Sequence, residues 1–117
     1  MGKINSKAKG KRYELEIANY LKEHGYKARR TAQYCGNTGD ASDVVGLPGI
    51  HIECKHQEQF HIYDWMKQAE NDSKKSGNLP SVFFRKNNQK TIVCLPIDAF
   101  LKLYDAYSEV QYGATKK

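Results

Sequence analysis

Between Ser42 and His56 the chain reads SDVVGLPGIHIECKH, which sets two carboxylates, Asp43 and Glu53, on either side of a Leu-Pro-Gly turn, with Lys55 two places beyond the second. Paired carboxylates offer hard oxygen donors of the kind Mg²⁺ or Mn²⁺ takes up, and an ammonium beside such a cation can orient a water or an anionic oxygen. With Leu47-Pro48-Gly49 as a three-residue hairpin loop, Val44 faces Ile52, Gly46 faces Ile50 and Asp43 faces Glu53. The two acids are then direct cross-strand neighbours, a pairing that costs stability unless something compensates. A two-residue turn centred on Pro48-Gly49 would pair Asp43 with Cys54 instead. That turn type splays hairpin strands, so the first register is preferred. It puts Asp43, Val45, His51, Glu53 and Lys55 on one side, and Val44, Gly46, Ile50, Ile52 and Cys54 on the core side.

A third carboxylate strengthens the reading. Residues 6 to 24 have helical character, with Ser6 as N-cap and Gly25 placed for a left-handed C-terminal cap. Glu14 falls on the stripe with Ile17, Ala18 and Leu21, where a carboxylate is costly to bury unless paired or bound to a cation. Glu14 therefore points towards the sheet that carries Asp43 and Glu53, and Lys55 stands beside the group. An exposed polar strand face with ordinary surface ion pairs is the plainer alternative for Asp43, Glu53 and Lys55, and the helical glutamate weighs against it. His51, His56 and His61 read as solvated flanking residues, because hard cations favour oxygen.

The remaining elements must hold that group in place. Residues 26 to 31 read as a short strand, followed by a long loop, AQYCGNTGDA. After the hairpin, a helix from about 61 to 76 presents Ile62, Trp65, Met66 and Ala69 on one face and Lys67, Lys74 and Lys75 on the other. PSVFFRK and TIVCL flank Asn87-Asn88-Gln89 as a second hairpin. Ile97, Phe100, Leu101 and Tyr104 predict a closing helix packed back on the sheet. The order αβββαββα predicts an α/β (α+β) fold with a mixed central sheet flanked by helices, spanning residues 1–107 as one domain, with 108–117 a flexible polar tail.

The 117 residues carry 19 Lys and Arg against 13 Asp and Glu, a net charge of +6, which suits a polyanionic partner. Three cysteines without C-x-x-C spacing argue against a disulfide framework or zinc knuckle. No apolar run long enough to cross a bilayer occurs, and the opening segment lacks the apolar stretch of a signal peptide, so a cytoplasmic location (host cytoplasm if the source is viral) without membrane contact is expected.

At these residues the sequence resembles the PD-(D/E)xK nuclease superfamily, and within it the archaeal-type Holliday junction resolvases and their phage-encoded relatives. KGKRYELEIANYLKEHGY looks like the first helix of those enzymes, SDVVG is similar to the P-D strand with Ser42 where the motif name has proline, and IECK is the E-x-K motif. The likeness runs from about residue 7 to 104. It implies a restriction-endonuclease-like core, a homodimer, and Mg²⁺-dependent hydrolysis of DNA phosphodiesters at four-way junctions, Mn²⁺ being a possible substitute. By the same resemblance, Asp43, Glu53 and the Cys54 backbone carbonyl would hold the metal, Glu14 would add a ligand, and Lys55 would orient or activate the attacking water. Lys7, Lys9, Gly10, Lys11 and Arg12 at the start of the first helix, with Arg29 and Arg30, form a basic surface expected to grip DNA. Gln33 and Tyr34 join Arg30 by analogy as substrate contacts, and Gln68 is half of a Gln-x-x-x-Tyr pattern some relatives carry. The alternatives are another PD-(D/E)xK DNA endonuclease, restriction-like or a repair nickase, and a non-catalytic nucleic-acid-binding module on the same scaffold.

Overall fold

The computed structural model describes residues 6–31 and 42–113. The element order is α1 (Ser6–Glu23), β1 (Arg29–Arg30), β2 (Val44–Val45), β3 (Ile50–His56), α2 (Ile62–Ser73), β4 (Leu79–Arg85), β5 (Ile92–Cys94) and α3 (Ile97–Tyr112). The strands form one mixed sheet in the order β1-β2-β3-β4-β5. All neighbours are antiparallel except β3 and β4, which run parallel. A parallel pair needs a crossover, and α2 supplies it.

The Leu-Pro-Gly loop sets the expected register, Val44 opposite Ile52. Alternation then decides which helix each side chain meets. Val44, Ile52 and Cys54 join Tyr13, Ile17 and Ala18 of α1 in one core. The opposite face belongs to α2, whose Trp65 and Ala69 pack on Val82 and Phe84. Because Glu53 lies beside Val82 in the parallel ladder, Glu53, His51 and Lys55 share the α2 side.

Four expectations change. The first strand pairs only over Arg29–Arg30 rather than 26 to 31, since Tyr26 and Lys27 are exposed. Beyond Arg30, the Thr31 hydroxyl donates to the Ser42 carbonyl at 2.6 Å. His51 on the polar face of β3 is not solvated, because α2 covers that face and His51, Ile52 and Glu53 are all buried in succession, as a central strand paired on both edges requires. The last helix does not pack back on the sheet: Ala99 is its buried residue. That helix also runs through Tyr112 into the expected tail, because 108–112 contain no breaker, and Gly113 then ends it at φ 59° with its N–H on Glu109.

Candidate active site

Glu14 approaches from α1, Glu53 from the α2 side of β3, and Asp43 from the residue just ahead of β2. All three are buried. Asp43 extends the ladder on both sides, its N–H donating to Ile52 O at 2.8 Å and its carbonyl accepting from Thr31 N–H at 3.0 Å. Its carboxylate Oδ2 accepts the Cys54 N–H at 2.8 Å, which fixes the side chain against the E-x-K strand. The charge of Asp43 is felt by both other acids. Glu14 is pushed above the ordinary carboxylate range by burial and then by Asp43, with Arg30 opposing. Glu53 is pushed up to about 7, chiefly by burial and further by Asp43, with the His51 hydrogen bond and Lys55 opposing. Lys55 is half-buried, acts on both Glu14 and Glu53, and donates to Gln68 Oε1 at 3.3 Å.

Arg30 is drawn into this group, its Nε donating to Glu14 Oε1 at 2.7 Å. Its guanidinium is thus engaged with the site rather than held out on the surface. Lys7, Lys11, Arg12 and Arg29 are exposed, Lys9 is half-buried and adds to burial and Arg85 in lowering the His56 pKa, and a side chain built on Gly10 would meet nothing within 4 Å. Lys7, Gly10 and Lys11 lie at helical spacing on the face that leads to Glu14. Gln33 and Tyr34 lie outside the described residues.

The residue the sequence reading missed is His51. Rather than solvated, it is 2% exposed and bridges two groups: Ser42 Oγ lies 3.0 Å from Nδ1, and Glu53 Oε1 lies 2.9 Å from Nε2. Ser42 Oγ also accepts the Ile52 N–H. With the serine proton on Nδ1 and Glu53 ionised, the imidazole donates from Nε2 to the carboxylate. The serine at the motif's proline position thereby acquires a use, steadying the histidine that steadies Glu53. The only sign of this in the sequence was that His51 and Glu53 are two apart on one strand. Among the described residues, His51, Glu53 and Asp72 of α2 place donor atoms within 4.8 Å of one another.

Raised carboxylate pKa values make a pH prediction for the metal-free protein. Between the ordinary value of 4.5 and about 7, the folded chain keeps a proton on Glu53 that the unfolded chain has released. Stability from this group is therefore present at low pH and lost as pH rises through that window. Thermal midpoints measured in chelator from pH 4.5 to 8 should fall more steeply for the wild type than for Glu53→Gln. Parallel profiles would contradict the assignment.

A five-stranded sheet sandwiched by helices, with acids before β2 and on β3 followed by a lysine, is the arrangement of the PD-(D/E)xK nucleases. Among solved structures the chain is similar to Hjc, a Holliday junction resolvase of the archaeal hyperthermophile Archaeoglobus fulgidus. The TM-score is 0.56 at 20% identity, over 77% of this chain and 74% of that one, a likeness of fold. No curated protein sequence matches the chain. Residues 5–117 match the family described as "Phage putative PDDEXK endonuclease", and the chain belongs to that family.

Proposed function

We propose that the protein is a Mg²⁺-dependent, structure-selective DNA endonuclease that acts as a homodimer and resolves four-way junctions by paired nicking. The observation that carries this reading is that the charges of Asp43 and Lys55 act on both buried glutamates, Glu14 and Glu53. The similar fold of a junction resolvase supports the substrate class.

The donor set fits a divalent cation. Three carboxylates are buried near two cationic side chains, Arg30 and Lys55, and the pKa values of Glu14 and Glu53 are raised chiefly by burial and then by Asp43, a penalty on the ionised forms that a bound cation would relieve. Asp43, Glu53 and the Cys54 carbonyl would hold the ion, with Glu14 as a further ligand. When bound, it would neutralise charge developing on the phosphate and acidify water. Lys55 holds the attacking water or a phosphate oxygen, and Gln68 fixes its ammonium. Arg30 restrains Glu14, while Lys7, Lys9, Lys11, Arg12 and Arg29 grip the backbone on either side, with Gln33 and Tyr34 contacting the branch.

A labelled immobile junction and a linear duplex of equal length, each incubated with and without Mg²⁺, test the proposal. Symmetric nicks in the junction alone support it. Equal cleavage of both substrates would indicate a general nickase, and no cleavage with Mg²⁺ or Mn²⁺ would leave a binding module.

His51→Ala removes the donor that orients Glu53. Its divalent-ion affinity should fall by about 10–100-fold, the usual cost of losing a group that orients a ligand. Nicking should recover at raised Mn²⁺, junction binding should be unchanged, and His51→Gln should recover part of the loss. A metal titration that superimposes on the wild type would refute this role.

A further inference from the structure

Among the described residues, α3 is an apolar helix with little covering it. Ile97, Phe100, Leu101, Tyr104, Tyr107 and Val110 are each at least 45% exposed, and at about 100° per residue they spread around more than half of the helix. Their open area, with that of Leu103 and Tyr112, comes to roughly 800 Å², above the largest patch of an ordinary monomer and equal to one partner's share of a standard interface. Two residues, Leu95 and Pro96, join β5 to α3, and Pro96 is held extended at φ −62°, ψ 152°. So short a linker sets the helix's direction of departure, and the molecule is drawn out to 58 Å against 34 and 30 Å in the other directions.

The same chain leaves a second apolar surface open. A groove of about 710 Å³ runs between α1 and the β4–β5 hairpin, lined by Ile17, Tyr20, Leu21, Phe83 and Val93 among others, and no residue of α3 lines it. Tyr20 and Val93 are 60% and 50% exposed there. Helix charge narrows the choice of occupant. In a chain of net charge +6, α3 carries Asp98, Asp105 and Glu109 against Lys102. A helix with excess acid is poorly suited to DNA phosphates or to anionic lipid, while the groove carries Arg85 and Lys90 balanced by Glu16 and Glu23 in a chain that is basic as a whole.

We propose that two copies of the chain associate by exchanging α3, each helix lying in the α1/β5 groove of the other copy. The exchange is isologous, so it closes at two, and a short proline-containing hinge favours it over self-closure. It deepens the dimeric part of the proposed function and rests on that reading for its use, since paired nicking needs two sites held together.

Sedimentation velocity of the full chain over a dilution series is expected to give twice 13.4 kDa. Tyr104→Glu on α3 and Tyr20→Glu in the groove alter exposed side chains, so each should keep the wild-type circular dichroism spectrum while sedimenting as a monomer. Mixing the two variants should restore a dimer, because the intact helix of one meets the intact groove of the other. A monomeric wild type, a groove variant that stays dimeric, or a mixture that stays monomeric would overturn the exchange. Mass alone is read here, so loss of the nuclease reading would show separately as absence of metal-dependent nicking in a dimeric wild type.

Discussion

Asp43→Asn is expected to lower the nicking rate by at least about 10³-fold, since a metal ligand at a phosphoryl centre contributes several kcal/mol to the barrier and each 1.36 kcal/mol is a factor of ten. The substitution suits the question because it separates charge from shape. Asparagine keeps an oxygen that can accept the Cys54 N–H now held by Oδ2, and the backbone bonds to Ile52 and Thr31 are untouched. What disappears is the negative charge that raises the pKa values of Glu14 and Glu53. In the absence of metal the variant should therefore be more stable than the wild type near pH 7, by about 1 kcal/mol on the scale of one close charge pair. Junction binding should stay within about twofold, because affinity comes from phosphate contacts along the basic surface. A gain in stability joined to a loss of activity marks a site kept for chemistry at the expense of the fold. Full nicking in the variant would remove Asp43 from the site, and a lowered thermal midpoint in chelator would mean that its charge is already balanced.

The legible part of this protein was what local chemistry decides. Turn geometry at Leu47-Pro48-Gly49 set the β2–β3 register, and apolar spacing gave every helix and strand in its correct order. Glu14 could be read as turned inward because a carboxylate on an apolar stripe demands a partner, and it lies buried on Arg30. The illegible part depends on what packs against what. Alternation assigned His51 to the side of Glu53, but only the arrival of α2 over that side makes the histidine buried and obliges it to find partners. That Arg30, expected at the DNA surface, also bonds Glu14 was not readable, since nothing in a sequence says which arginine will meet that carboxylate. Apolar spacing on α3 led to the expectation that it packs on the sheet, yet those residues are largely exposed, because the pattern carries no statement of which surface, if any, the apolar face meets.

Gly46→Ala is expected to be the most damaging single substitution in the sheet. Gly46 follows β2 at φ +110°, a backbone conformation that residues with a side chain rarely adopt. A Cβ there would stand 2.2 Å from the Lys27 carbonyl oxygen and 2.5 Å from Ala28 Cα. Both are backbone atoms of the segment entering β1, so relief requires β1 to move away from β2. Strain and the lost β1–β2 pairing together should cost about 3–5 kcal/mol, at the high end for a point substitution. For a domain of this size that is a fall of roughly 15–30 °C in the thermal midpoint. The site should suffer with the fold, because β1 carries Arg30 to Glu14. Gly49→Ala in the same hairpin is the control: its φ is +86°, yet nothing lies within 4 Å of the added carbon, so only the conformational cost of about 1 kcal/mol remains. Equal losses at the two positions would show that backbone conformation, and not the close approach of β1, is what requires glycine at 46.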